Sequence, residues 1–248
     1  MHILVTGGAG FVGTNLIKRL LKDGYKVTSI DNYNTGLKLN HQKGCTYLNY
    51  DIRNICDYDF IKPDVIFHMA AIARIQPSFD NPKDYLTVNA NGTMNIVEWC
   101  SKNNVPLIYA GSSSKHSGRF KNPYTFSKDL GEDIITLYQT HFNLISTTAR
   151  FYNVYGPHQL TEGGYTHVDD IVDALILIME KKAYGNEFEL GRGKNISINE
   201  VAKMLNINPI YKSPKPGEAR HTLCESKLAK KILDWHPKID LLNYIKNL

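Results

Sequence analysis

Thr6-Gly7-Gly8-Ala9-Gly10-Phe11-Val12-Gly13 follows a short apolar run, His2–Thr6, and precedes a segment whose apolar residues recur at helical spacing. The glycines leave no Cβ between the backbone N–H groups of a helix N-terminus and an anion, so the loop can bind a pyrophosphate. A glycine pattern alone also fits a plain tight turn. The position of this loop between a strand and a helix favours dinucleotide binding.

Asp31 ends the second strand-like run, Lys26–Ile30. In a dinucleotide-binding unit an acidic residue at this point hydrogen-bonds the adenosine ribose hydroxyls. A carboxylate there also repels the extra phosphate of NADP, so the sequence favours NAD. The alternative is that Asp31 is an N-cap or turn residue within Asp31-Asn32-Tyr33-Asn34.

Short apolar runs alternate with longer amphipathic segments along the rest of the chain. This alternation predicts an α/β fold of the Rossmann type, with a doubly wound parallel sheet and helices on both faces. The predicted strands are His2–Thr6, Lys26–Ile30, Thr46–Tyr50, Val65–Met69, Pro106–Ala110 and Ile145–Phe151.

The alternation of apolar runs and amphipathic segments ends at about residue 190. Further on, Ser213-Pro214-Lys215-Pro216-Gly217 contains prolines and a glycine, which interrupt helices and strands. We therefore expect residues 1–190 to form the NAD-binding domain, with a short excursion near 156–165 toward the substrate. Residues 191–248 are expected to form a small C-terminal substrate-binding lobe.

Composition excludes several classes of protein. The chain has 248 residues, of which 42% are hydrophobic and 21% charged, as in ordinary globular proteins. Its net charge of +5 comes from scattered residues without a Lys/Arg stripe, which argues against nucleic acid and favours a small anionic ligand. The longest apolar stretch, near Ala174–Met179, is too short to span a membrane, and the four cysteines lack metal or disulfide spacing. A cytoplasmic protein is expected.

Tyr124 and Lys128 stand four residues apart in Pro123–Phe142, a segment predicted to be a helix that begins at Pro123. Both side chains then lie on one helical face. A nearby ammonium group favours the phenolate and is expected to lower the tyrosine pKa toward the range of a general base.

Two other pairs, Tyr58/Lys62 and Tyr211/Lys215, have the same spacing and serve as internal controls. A proline directly follows the first pair and another lies inside the second, so neither pair is expected on a helix. Only Tyr124 has a helix to align it with its lysine.

The run Gly111-Ser112-Ser113-Ser114 follows the predicted strand Pro106–Ala110. Ligands of open α/β sheets bind at the carboxyl ends of strands, where a serine hydroxyl can hydrogen-bond a substrate oxygen and relay its proton. A run of serines also fits a loop or a helix N-cap.

Together these features resemble the extended short-chain dehydrogenase/reductase family, and within it the UDP-glucose 4-epimerase-like nucleotide-sugar enzymes. The resemblance covers nearly the whole chain. Further motifs that carry it are Asp51-Ile52-Arg53, His68-Met69-Ala70-Ala71, Asn89-Ala90-Asn91-Gly92-Thr93, Arg150-Phe151-Tyr152-Asn153-Val154-Tyr155-Gly156-Pro157, His167-Val168-Asp169-Asp170 and Pro216-Gly217-Glu218-Ala219-Arg220.

The resemblance implies NAD as the cofactor, a nucleotide sugar as the substrate and no metal. The implied catalytic residues are Ser112, Tyr124 and Lys128. The implied cofactor-binding residues are Gly7, Gly10, Phe11, Val12, Gly13, Asp31, Asn32, Asp51, Ile52, Ala70, Ala71, Arg74, Asn89, Tyr124 and Lys128. The implied substrate-binding residues are Ser112, Ser113, Ser114, Asn153 on the diphosphate and Arg220 on its phosphate.

The resemblance also bears on the reaction. The 4,6-dehydratases of the family carry an Asp-Glu pair after the catalytic Ser/Thr and the decarboxylases carry a Glu, whereas this chain has Ser113 and Ser114. A UDP-sugar 4-epimerase that acts through a transient 4-keto sugar is therefore expected. The alternatives are a nucleotide-sugar reductase or dehydrogenase, a 4,6-dehydratase, and a dinucleotide-binding regulator with a vestigial site.

The chain departs from the family pattern after Pro157. Only seven residues separate Pro157 from Tyr165, where relatives carry a much longer part of the nucleotide-binding lobe. We therefore expect a shortened substrate lobe.

A homodimer is also expected from the resemblance. The segments around Asp84–Ser101 and Tyr124–Phe142 correspond to the helices of the family's dimer contact. Trp99, Ile134 and Tyr138 are candidates for the contact, and the alternative is that these three side chains face the sheet.

Overall fold

A parallel sheet of seven strands forms the centre of the fold in the part of the chain that the structure describes. The structure is a computed structural model and describes residues 1–159, 165–193, 197–204, 206–211, 213, 215–217 and 223–246. In chain order the strands of the described residues are β1 (His2–Thr6), β2 (Lys26–Ile30), β3 (Cys45–Leu48), β4 (Val65–His68), β5 (Leu107–Ser112), β6 (Ser146–Phe151), β7 (Val154–Tyr155), β8 (Thr166–His167) and β9 (Glu187–Leu190), of which β7 and β8 lie outside the seven-stranded sheet.

Helices cover both faces of this sheet. The α-helices of the described residues are α1 (Phe11–Lys22), α2 (Gln76–Asp80), α3 (Pro82–Leu86), α4 (Thr93–Asn103), α5 (Pro123–His141), α6 (Val168–Glu180), α7 (Ile198–Met204) and α8 (Leu241–Lys246). Of these, α1, α4, α5 and α6 pack against the strands of the sheet. None of the helices in the described ranges combines the length and apolarity needed to cross a membrane.

The strand order is β3-β2-β1-β4-β5-β6-β9, and β7 pairs separately with β8. The order reverses between β1 and β4, because the chain first adds strands on one side of β1 and then on the other. In open α/β sheets ligands bind in the crevice at such a switch point, outside the carboxyl ends of the strands. The predicted doubly wound parallel sheet is confirmed.

Two apolar layers sandwich the sheet. Side chains alternate along β1, so that Ile3 and Val5 join the cluster that includes α1 and α6, while Leu4 joins the cluster that includes α4 and α5. All three are fully buried. Because helices cover both faces of the sheet, its strands are apolar on both sides, and they therefore appear in the sequence as continuous hydrophobic runs.

The six predicted strands are present: the first two have the predicted bounds, and the bounds of the other four are shifted by one or two residues. The fifth extends to Ser112, so the serine lies in the strand itself. The segment around Asp84–Ser101 is helical but in pieces, with π-helical Thr87–Gly92 between α3 and α4. β9, Glu187–Leu190, was not predicted, although its charged and apolar residues alternate as in a half-buried strand. The division into residues 1–190 and 191–248 stays a prediction.

Glu132 and Arg150 fix α5 against β6. The Arg150 guanidinium donates to both carboxylate oxygens of Glu132 at 2.8 to 3.1 Å and to Glu189 of β9 at 2.8 Å. Arg150 and Glu132 are 5% and 3% exposed, so this is a buried ion pair. Because Glu132 lies one turn after Lys128, the pair also sets the position of the predicted catalytic turn.

Candidate active site

A cleft of about 850 Å³ opens at the carboxyl ends of β1, β4 and β5. It brings together most of the predicted site residues, although they come from distant parts of the chain. Those that line it are Gly7, Gly10, Phe11, Val12, Gly13, Asp31, Asn32, Ile52, Ala70, Ala71, Arg74, Ser112, Ser113, Ser114, Tyr124, Lys128 and Asn153. Arg220 lies outside the described residues.

The glycine loop fits a pyrophosphate. Gly7 has φ +70°, and a Cβ there would come within 2.7 Å of the Ala70 backbone. A Cβ on Gly13 would come within 2.2 Å of the Gly7 carbonyl oxygen, so glycine is required where α1 packs on the loop. Gly10 precedes α1 without a side-chain cap, and the first turn carries no acidic residue. The helix N-terminus is therefore suited to an anionic ligand.

Asp31 is held by backbone groups on two sides. Its Oδ2 accepts a hydrogen bond from Ala9 N–H at 2.9 Å and its Oδ1 one from Tyr33 N–H at 2.8 Å. The second bond is the turn contact that the sequence left as an alternative. Since each carboxylate oxygen has a further lone pair, the turn and a ribose contact are compatible.

Asp51 lies beside this end of the cleft. It accepts hydrogen bonds from the Asn32 amide at 2.9 Å and from the Arg53 guanidinium at 2.7 Å. The Arg53 hydrogen bonds lower the pKa of Asp51 to about 2. Asp51 therefore does not line the cleft itself but is hydrogen-bonded to Asn32, which does. The neighbouring Ile52 also lines the cleft.

Ser112 and Tyr124 meet at the bottom of the cleft. Asn122 caps α5 by accepting a hydrogen bond from Thr125 N–H at 2.7 Å, and this cap places Tyr124 in the first turn. The Tyr124 hydroxyl donates to Ser112 Oγ at 3.4 Å. Ser112 Oγ lies 2.8 Å from Ser114 Oγ, so three hydroxyl groups form a row.

The two control pairs lack this arrangement. Tyr58 and Lys62 lie outside any helix, as do Tyr211 and Lys215. Tyr124 and Lys128 are thus the pair with this spacing that shares a helix, as predicted.

Burial governs the ionisation of the pair. It lowers the pKa of Lys128 to about 7, although Glu132 acts in the opposite direction. It raises the pKa of Tyr124, against the effect of the Ser112 hydrogen bond. The expectation that Lys128 lowers the pKa of Tyr124 is therefore wrong for the protein alone, because desolvation of the buried phenol outweighs the favourable effects of its neighbours.

His68 is a structural residue beneath the cleft. It is fully buried, with Nδ1 2.7 Å from Thr6 Oγ1 and Nε2 3.0 Å from Thr93 Oγ1. Burial lowers its pKa to about 3, so the ring is neutral. It connects β1, β4 and α4 below the glycine loop.

Asn89 does not line the cleft but lies behind it, fully buried. Its amide donates to Ile72 O and to Ser127 Oγ, each at 3.0 Å, and its Oδ1 accepts from Ile72 N–H at 2.8 Å. It thus connects the loop after β4 to α5.

Sequence reasoning missed Tyr85. Its ring meets the Tyr124 ring edge-on, with centroids 6.2 Å apart, and its hydroxyl donates to Ala73 O at 2.8 Å. No spacing in the sequence relates residues 85 and 124, so only the folded chain shows this support for Tyr124.

The model of the NAD dependent epimerase/dehydratase family matches residues 3–165. The chain belongs to this family. The resemblance predicted from the sequence is confirmed, and NAD, the predicted cofactor, is the one on which the family depends.

Proteins of this epimerase/dehydratase family align with this chain over nearly its whole length. A putative UDP-glucose 4-epimerase of Methanocaldococcus jannaschii is 29% identical over 99% of this chain and 96% of its own length. A UDP-glucose 4-epimerase of Mycolicibacterium smegmatis is 26% identical over 97% and 95%. The crystal structure of UDP-glucose 4-epimerase from Thermotoga maritima with UDP-glucose has a TM-score of 0.88, 25% identity and coverage of 100% and 99%.

This member of the family is nevertheless short. Its alignment with the Methanocaldococcus protein runs over 299 positions, although the chain has 248 residues. That relative therefore carries residues without a counterpart here. That part of the missing residues belongs after Pro157 stays a prediction.

Proposed function

We propose that this protein is an NAD-dependent nucleotide-sugar 4-epimerase of the UDP-glucose/UDP-galactose type. The observation that carries the proposal is the pair of hydroxyl groups of Tyr124 and Ser112, 3.4 Å apart in the cleft that the glycine loop also lines. A sugar hydroxyl placed between them has a base on one side and a hydrogen-bonding partner on the other.

The residues divide the work as follows. The glycine loop and Asp31 would hold NAD, which would supply a reversible acceptor for the hydride of C4 of the sugar. Tyr124 takes the proton of the C4 hydroxyl as the sugar is oxidised and gives it back when the 4-keto sugar is reduced. Ser112 orients that oxygen, and Lys128 supports the ionised tyrosine and the cofactor ribose. The product is an isomer of the substrate.

The residues after Ser112 support epimerisation over elimination. Removal of water needs an acid and a base near C5 and C6 of the sugar. Ser113 and Ser114 occupy the positions of that pair, and the Ser114 hydroxyl is engaged with Ser112 at 2.8 Å. A hydroxyl is too weak an acid for this role at neutral pH.

The proposed activity is tested by incubating pure protein, without added cofactor, with a panel of UDP-, dTDP-, GDP- and CDP-sugars. We expect interconversion of C4 epimers and no accumulation of NADH. Accumulation of NADH would instead indicate a dehydrogenase, and a stable 4-keto-6-deoxy product a dehydratase. No turnover of any sugar, together with intact NAD binding, would favour a regulator.

Cofactor choice tests the proposed role of Asp31. NAD(H) is expected to bind more tightly than NADP(H), because the fixed carboxylate accepts the ribose hydroxyls and repels a 2′-phosphate. Asp31→Ala should reduce the difference in affinity between the two cofactors, because the variant is expected to bind NAD(H) more weakly and NADP(H) more tightly. Titration of both cofactors by calorimetry measures it, and equal wild-type affinities would contradict the role.

The short stretch after Pro157 bears on the nucleotide. We propose that the diphosphate and sugar dominate recognition, through Asn153, Arg220 and the Ser112/Tyr124 pair, because fewer residues remain to discriminate the base. UDP- and dTDP-sugars are expected to differ by less than about tenfold in kcat/KM. Steady-state kinetics on matched sugars measure this ratio. A hundredfold preference for one base would show that other residues rebuild the pocket.

We also propose a homodimer through α4 and α5, which pack against each other. Trp99, Ile134 and Tyr138 pack in part against the core, which favours the alternative reading of these three side chains. Leu137 and Phe142 remain 50% and 53% exposed on the outer side of α5 and its end. Light scattering is expected to give twice the chain mass at micromolar concentration. A monomer under those conditions would contradict the proposal.

A further inference from the structure

Tyr109 of β5 lies directly beneath Lys128. The Lys128 Nζ is 4.1 Å from the centroid of the Tyr109 ring, within the range of a strong cation–π contact. Tyr109 is fully buried and Lys128 is 4% exposed, so water does not screen this contact. Neither the family motifs nor the spacing of residues in the sequence points to Tyr109.

The backbone of α5 is shaped around this ring. The Tyr109 hydroxyl lies 3.5 Å from the Lys128 carbonyl oxygen, to which it donates. A Cβ on Gly131 would come within 2.5 Å of the same hydroxyl, so glycine is needed where the helix crosses the tyrosine. The turn that carries Lys128 is thus seated on Tyr109.

Few other groups favour a charged Lys128. Burial lowers the lysine pKa to about 7 and Glu132 opposes this, whereas His68 of β4 lies near but is neutral. Tyr124, on the same helix, adds no negative charge in the protein alone, because burial raises its pKa above the usual value. The face of the Tyr109 ring carries negative potential and lies next to the ammonium group.

Glu132 also has other partners. It binds Arg150 and it accepts a hydrogen bond from Lys115 Nζ at 2.8 Å. Its charge is therefore shared among three cations, including Lys128. The ring below Lys128 has no such competing cation among the described residues.

We propose that Tyr109 is a positioning residue whose ring face holds the Lys128 ammonium group charged and in place beside Tyr124. The inference rests on the proposed function in one respect, namely that Lys128 supports the catalytic tyrosine. The ring raises the lysine pKa relative to an aliphatic neighbour of similar size. Substitutions that reduce the negative potential of the ring face should lower the pKa of Lys128, whereas removal of the Tyr109 hydroxyl should change it little.

The sharpest variants change the electronics of the ring and keep its shape. Tyr109→Phe retains the ring face, and phenylalanine analogues with one, two and three ring fluorines at position 109 weaken it stepwise. Tyr109→Leu removes it. All are compared as the full chain, and near-ultraviolet circular dichroism confirms that each is folded.

The primary readout is the titration of Lys128 Nζ by NMR in lysine-labelled protein, with Lys128→Met to assign the signal. We expect Tyr109→Phe to keep the wild-type midpoint, the fluorinated series to lower it progressively, and Tyr109→Leu to lower it by about one unit. A midpoint independent of fluorination would overturn the proposal even if Tyr109→Leu fails to fold. So would a lowered midpoint in Tyr109→Phe equal to that in Tyr109→Leu.

The alkaline limb of the kcat profile with the active sugar provides the second readout. It should move to lower pH in the same order, because a neutral Lys128 no longer supports the phenolate. This readout depends on epimerase activity, whereas the NMR titration does not. If no sugar is turned over, the titration still decides the role of Tyr109. If the midpoint follows fluorination but kcat does not, the assignment of Lys128 in the proposed function is wrong.

Discussion

Tyr124→Phe is expected to lower kcat by about 10²- to 10⁴-fold and to leave NAD affinity nearly unchanged. The variant loses only the phenolic oxygen that reaches Ser112 at 3.4 Å. Its ring can keep the edge-on contact with Tyr85. The defect should therefore appear in the chemical step, measured by single-turnover oxidation of the sugar.

Two variants accompany this measurement. Lys128→Met should be more damaging, because it removes both the support of Tyr124 and a contact to the cofactor ribose, so NAD affinity falls as well. Tyr211→Phe is the matched control, since Tyr211 precedes a lysine at the same spacing but is 76% exposed. Wild-type turnover by Tyr124→Phe would show that the proposed base is wrong.

Arg150→Met is expected to lower the free energy of unfolding by about 3 to 5 kcal/mol. The substitution leaves the buried Glu132 carboxylate with Lys115 at 2.8 Å but without its bidentate partner. Glu189 loses its contact with the guanidinium as well. Urea unfolding followed by circular dichroism measures the change.

Arg119→Met provides the control for this stability effect. Arg119 also bridges two carboxylates, Asp129 and Asp133, but its own side chain is 36% exposed. Without it, Asp129 keeps its contact with Lys115 at 3.3 Å, and water solvates the 50% exposed Asp133. Little change is expected. The double variant Glu132→Leu/Arg150→Met should recover part of the stability, because it leaves neither member of this ion pair buried without the other. Equal losses from Arg119→Met and Arg150→Met would contradict the assignment of a buried ion pair.

The parts of the fold that sequence could predict are those that depend on local pattern. Apolar runs buried on both faces marked six strands, and the glycines at 7, 10 and 13 marked the turn into α1. Pro123 and the helical spacing after it placed Tyr124 and Lys128 on one face. Each of these signals lies within about twenty residues.

The remainder depends on which distant groups become buried together. β9 was not predicted, and the folded chain shows that its Glu187 and Glu189 bind Arg150, a partner that no local pattern reveals. The ionisation of Lys128 could not be inferred from its spacing, because desolvation by the surrounding core outweighs the nearby charges.

The most direct test of the proposed 4-epimerase activity follows a deuterium label at C4 of the sugar nucleotide. If Tyr124 and Ser112 act on the C4 hydroxyl and the same site oxidises and reduces that carbon, the epimeric product must retain the deuterium at C4. NMR of the product with wild-type protein and no added cofactor is predicted to show the label there. Deuterium at C6 would indicate elimination, and deuterium released on NADH would indicate a dehydrogenase; either result would contradict the proposed epimerase.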